Sequence, residues 1–184
     1  MKGDAEMQQP KQPKRLASSL ALITLIGACL QPLLAIGLWA YWDQLAMLGA
    51  GNLAHIYDAT ALSSTARLFG FAVFFTGAFI QAFGLLGLRR MFLEARSGRS
   101  FSARSIQGFR IFAWVSLALV FWSIFQHSVL SVLLSSNDPA RDRALHIEFG
   151  SGQVGALFTA VLLVFVALVL AEGKRAKDET DSFI

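Results

Sequence analysis

Charge is what this sequence has least of. Only 15% of its 184 residues are Asp, Glu, Lys or Arg, where a soluble domain carries roughly a quarter. The deficit is concentrated: windows 16–42, 68–88, 111–137 and 149–171 hold no charged side chain at all. Without a buried ionisable relay, and with no internal inverted repeat, the chain does not read as a proton-coupled pump or transporter. Cysteine is nearly absent too. Cys29 stands alone inside the first window, which excludes an intrachain disulfide and leaves cysteine usage silent about redox compartment. Also missing are a phosphate-binding glycine loop, a nucleophile elbow and a zinc-protease motif. No Cys, His and carboxylate cluster stands at metal-ligand spacing. The expectation is a protein that is not an enzyme, with no metal and no cofactor.

What is present is apolar length. The four uncharged windows run to 27, 21, 27 and 23 residues, and about 20 helical residues cross a ~30 Å hydrocarbon core. A spanning segment must satisfy its own backbone, which leaves helix or closed barrel. Barrel strands alternate in hydrophobicity, and these runs do not. The fold class expected is therefore all-α: a polytopic membrane protein with four transmembrane helices in a bundle.

The chain divides accordingly. Residues 1–15 read as a disordered basic tail, since the stretch from Gln8 to Arg15 is too proline-rich for a helix. Residues 16–171 form the membrane domain, with spans at about 16–42, 68–88, 111–134 and 149–171, and 172–184 is a mixed-charge tail. Ile26-Gly27-Ala28-Cys29 resembles a lipoprotein cleavage box, but the apolar run continues well past Cys29, too far for a signal peptide. A retained helix with this small residue in its packing face is expected. Pro32 should kink it, and Trp39, Tyr41 and Trp42 sit where an aromatic belt marks the interface. Residues 43–67 form the longer connection, with apolar spacing that allows a short helix on the membrane surface. In the second span Gly70, Gly77 and Gly84 recur every seven residues, a small face on which another helix can pack closely. Gly150, Gly152 and Gly155 suggest the same for the fourth.

The connection between spans two and three is the basic centre of the chain. Arg89, Arg90, Arg96, Arg99, Arg104 and Arg110 stand there against the single acid Glu94. Gly98 is a natural left-handed helix stop and Ser102 a natural N-cap. Phe101 and Ile106 occupy the positions of a hydrophobic staple. A tight helical hairpin is predicted. Thirteen Lys and Arg residues fall on this side and the two tails, and three on the other connections. By the positive-inside rule both termini and the hairpin face the cytoplasm of a bacterial cytoplasmic (inner) membrane.

The hairpin arginines, with Phe101, have three readings. They can set topology and bind the anionic inner leaflet. They can dock an acidic cytoplasmic protein, with Phe92, Phe101 and Phe109 as apolar anchors. They can contact phosphates of nucleic acid, which the lack of a recognition fold disfavours. Inside the membrane Gln31, Gln126, His127 and Gln153 fall at comparable depth. Such residues mostly act as interhelical hydrogen-bonding glue, and alternatively form a small-ligand or ion-handling site. His55, His127 and His146 raise haem as a third reading, although only His127 lies within a span. Self-association into a homo-oligomer is left open.

Two stretches carry a family resemblance. Arg96-Ser97-Gly98-Arg99-Ser100-Phe101-Ser102, leading into an apolar helix, is one. The ending Glu172-Gly173-Lys174-Arg175-Ala176-Lys177-Asp178-Glu179, closing in Ser182-Phe183-Ile184, is the other. With the helix count and spacing, from about residue 16 to 184, they resemble the DUF2975 family of small four-helix bacterial membrane proteins. The resemblance implies architecture rather than activity. Members are often encoded beside a small helix-turn-helix regulator, which implies a membrane partner for a DNA-binding protein.

Overall fold

The computed structural model describes residues 11–41, 64–135 and 151–181. They form four long helices: α1 Lys11–Ala40, α2 Ser64–Arg96, α3 Ala103–Ser135 and α4 Ser151–Asp181. Each is long and apolar enough to cross a membrane. At 1.5 Å per residue, helices of 30 to 33 residues reach about 45–50 Å. All four therefore overrun a ~30 Å hydrocarbon core.

The overrun corrects two expectations. Helix α1 starts at Lys11 and takes Pro13 into its first turn, so residues 11–15 of the proline-rich stretch are helical. The first backbone N–H groups of a helix have no intrahelical acceptor, and proline loses nothing by lacking one there. At the other end of the chain α4 continues unbroken through Asp181. Lys174 and Asp178 (2.6 Å) and Arg175 and Glu179 (3.2 Å) pair one turn apart along it, the spacing at which opposite charges support a helix. Most of the expected tail 172–184 is thus a helical extension. Trp42, His55, His146 and Gly150, and the surface helix anticipated within 43–67, lie outside the described residues.

Consecutive helices pack on one another: α1 on α2, α2 on α3, α3 on α4. The interior is made of small side chains. On α1 the buried face is Ala17, Ala21, Thr24, Ala28 and Ala35, repeating at helical spacing. The Thr24 hydroxyl donates to the carbonyls of Leu20 and Ala21, at 2.9 and 3.1 Å, so it adds no unsatisfied group to this face. Cys29 points outward, and its neighbour Ala28 does the packing expected of it. Leu, Ile and Phe side chains cover the outside, as with Leu22, Ile23, Phe79, Phe121 and Phe165. Small inside and large apolar outside is the arrangement of helices solvated by lipid, where close backbone approach replaces hydrophobic collapse.

The α2 glycines meet different neighbours. A Cβ on Gly70 would stand 2.5 Å from the Trp39 ring of α1, whereas one on Gly84 would stand 2.7 Å from Val115 of α3. An equally close approach falls at a pair the seven-residue repeat does not include. A Cβ on Gly108 would lie 2.5 Å from the Gly87 carbonyl, and one on Gly87 2.9 Å from the Gly108 carbonyl. Here backbone meets backbone. Helix α4 differs: Gly152 and Gly155 have nothing within 4 Å of a built Cβ, so these glycines do not serve close packing within the chain.

Candidate functional site

Two places in the fold gather polar chemistry. The first is the end where α1 begins, α2 passes into α3, and α4 runs out. The turn there is fixed by backbone and side-chain hydrogen bonds at both of its ends. Gly98 takes a φ of 76°. Its N–H donates to the Ala95 carbonyl (3.0 Å), and the Arg99 N–H donates to that of Glu94 (3.0 Å). These two bonds make a Schellman ending. Ser102 Oγ accepts the Ser105 N–H at 3.1 Å, the N-cap bond that opens α3. The expected staple is partial, for Phe101 and Ile106 line one apolar recess while Phe101 keeps 68% of its surface exposed.

Glu94 ties the two helix ends together. Its Oε2 accepts from Ser102 Oγ at 3.1 Å and from Arg99 Nε at 3.2 Å. The Glu94 side chain is only 15% exposed against 66% for Arg99. The lone acid of the hairpin is thus a structural clamp, a role that its isolation among arginines hinted at but did not specify. Of the six arginines, Arg99 is engaged in this clamp. Arg89 is half-buried, with Nε lacking a hydrogen-bond partner. Arg90, Arg96, Arg104 and Arg110 are exposed. Arg110 lines a groove of about 600 Å³ between the start of α3 and the α4 extension, with Gln107, Lys174 and Asp178. Arg90 and Arg104 line a separate cleft of about 360 Å³ between the end of α2 and the start of α3.

The second place is a cavity of about 600 Å³ at mid-span, with walls from all four helices. Gln31 and Gln126 both line it. Its other polar walls include Gln81 and Trp122, neither of which stood out as site residues in the sequence. Gln81 follows a phenylalanine-rich run, and only the register of α2 against α1 and α3 brings it to the cavity. Gly77 makes the space. A Cβ there would stand 2.7 Å from Trp122 Nε1 and 3.2 Å from Gln126 Oε1. The indole Nε1 is buried without a hydrogen-bond partner, an expensive state for a group that can only donate. Among the described residues no charged side chain lines the cavity. His127 and Gln153 do not line it either, and His127 is exposed on α3. The four-residue polar cluster is therefore divided: one pair meets at the cavity and the other does not join it. Successive residues on a helix turn by about 100°, which sends His127 away from the wall that Gln126 occupies.

Among the described residues no three His, Cys, Asp or Glu side chains are grouped to hold a metal ion. The haem reading needs two histidines on different helices; of the three, only His127 is described.

Four apolar helices with their small residues inward define a multi-pass α-helical membrane protein. Residues 48–184 match the family model described as "Protein of unknown function (DUF2975)", and the chain belongs to that family. The match takes in α2, α3 and α4 and begins after α1, so it is shorter than the resemblance from residue 16 suggested. The comparisons with curated proteins and with solved structures gave no match.

Proposed function

We propose that this is a non-enzymatic accessory protein of the bacterial inner membrane that docks an acidic cytoplasmic partner on its basic end. In this reading the N-terminus, the hairpin and the α4 extension face the cytoplasm, in keeping with the thirteen-to-three distribution of Lys and Arg. The observation that carries it is the locked turn. Arginines that only set topology need no fixed geometry, yet here a Schellman ending, an N-cap and the Glu94 clamp hold four exposed arginines on two helix ends. Pre-organised charge lowers the ordering cost of binding and speeds encounter with an acidic surface. A small DNA-binding regulator, the partner that the family resemblance implies, is the specific protein we propose.

In-cell crosslinking and pull-down through a C-terminal tag test this. Recovery of one defined cytoplasmic protein, lost in the Arg96→Glu plus Arg110→Glu variant, is the expected result. Both side chains are exposed and outside the Glu94 clamp, so the hairpin itself stays intact. Recovery unchanged by the double variant contradicts docking.

A second reading rests on the unpartnered Trp122 Nε1. The cavity suits an uncharged, hydrogen-bonding small molecule, since its described residues offer carboxamides and an indole N–H and no counter-charge. Under this reading Gln126→Leu abolishes the cellular phenotype and His127→Ala leaves it intact. Under the docking reading both are silent.

A further inference from the structure

We infer that the Arg90–Arg104 cleft is a binding site for the phosphodiester of an anionic phospholipid. This rests on membrane insertion of the chain and not on the docking of a protein partner. Arg90 closes the apolar stretch of α2, two residues beyond the end of the uncharged window at Leu88, and Arg104 lies in the first turn of α3. The two are thus at the depth where hydrocarbon gives way to headgroups. Both side chains are exposed, and both line the same cleft of about 360 Å³.

The cleft's lining carries two arginines against one acid. Glu94 is the cleft's acid, and its Oε2 is already engaged by Arg99 Nε at 3.2 Å and Ser102 Oγ at 3.1 Å. Two guanidinium groups therefore face the cleft with no carboxylate dedicated to them, and paired guanidinium forks match phosphate oxygens. Gln107 adds a neutral donor and acceptor for a headgroup hydroxyl. Leu93 and Ile111 give the cleft an apolar side along which an acyl chain can lie. The inner wall is rigid, since Gly108 stands against the Gly87 backbone. The start of α3 also contributes the positive end of a helix dipole. A soluble phosphate would use the arginines alone, whereas the apolar wall at this depth favours a lipid.

Native mass spectrometry of the full chain tests the assignment. Phosphatidylglycerol, phosphatidylcholine and inorganic phosphate would be titrated separately, with circular dichroism confirming unchanged helix content in each variant. Two basic residues at a bilayer surface together favour an anionic lipid roughly 30-fold. Retention of phosphatidylglycerol over phosphatidylcholine on that scale is expected. Arg90→Gln plus Arg104→Gln should collapse the preference towards unity, Arg96→Gln should preserve it, and millimolar phosphate should not displace the lipid. Equal loss in Arg96→Gln would mean diffuse attraction and overturn the site. Preference surviving in the double variant overturns it as well, and displacement by inorganic phosphate would assign the cleft to a soluble anion.

Discussion

The α2–α3 seam and the α4 flank use the same residue in opposite ways. In the seam each glycine has a counterpart. Gly77 receives Trp122, Gly84 receives Val115, and Gly87 and Gly108 bring two backbones together. On α4, Gly152 and Gly155 face open space, and Ala160 and Ala167 are the buried hydrophobic residues of this helix. A glycine repeat therefore signals close packing only when the neighbouring helix supplies something to fill it. Phe158, Val161, Phe165 and Val169 remain exposed on α4, so its outer surface is written for lipid.

Substitutions that fill the glycines break this comparison at graded strength. Gly108→Ala should have the largest effect, because its methyl meets the Gly87 carbonyl and the Met91 amide, and backbone cannot step aside. A loss of roughly 1–3 kcal/mol is expected, measured by reversible unfolding in mixed micelles. Gly77→Ala meets the Trp122 and Gln126 side chains, which can shift, so about 1 kcal/mol is expected at the lower end of overpacking costs. Ser102→Ala removes the N-cap of α3 and one arm of the Glu94 clamp. It should cost about 1 kcal/mol and speed hydrogen exchange at the Ser105 amide more than at mid-span amides. Gly155→Ala is the smallest effect and has the opposite sign. It meets nothing and gains helix propensity of up to about 1 kcal/mol, so neutral to slightly stabilised unfolding is expected.

The sequence made the four spans legible because lipid demands long uncharged runs, and no other solvent does. It made the hairpin legible because Gly98, Ser102 and the flanking apolar residues each have one strong local preference. Interhelical register was not legible. Gln81 and Trp122 reach the cavity, and Gly108 reaches Gly87, only through the way α2 settles on α3. Depth groups His127 with Gln126, and depth says nothing about which way a side chain faces. The apolar windows are shorter than the helices, since loss of hydrophobicity ends a span but need not end a helix. Lys11 and Asp181 lie beyond the apolar windows and within the helices.

The docking face requires the basic end to be cytoplasmic, and cysteine accessibility tests that orientation. In a Cys29→Ser background, Ser100→Cys marks the hairpin and Ser64→Cys the opposite end of α2. A membrane-impermeant maleimide applied to intact spheroplasts should label Ser64→Cys and leave Ser100→Cys unlabelled until the cells are lysed. Labelling of Ser100→Cys in intact spheroplasts would invert the topology and contradict the proposed docking face.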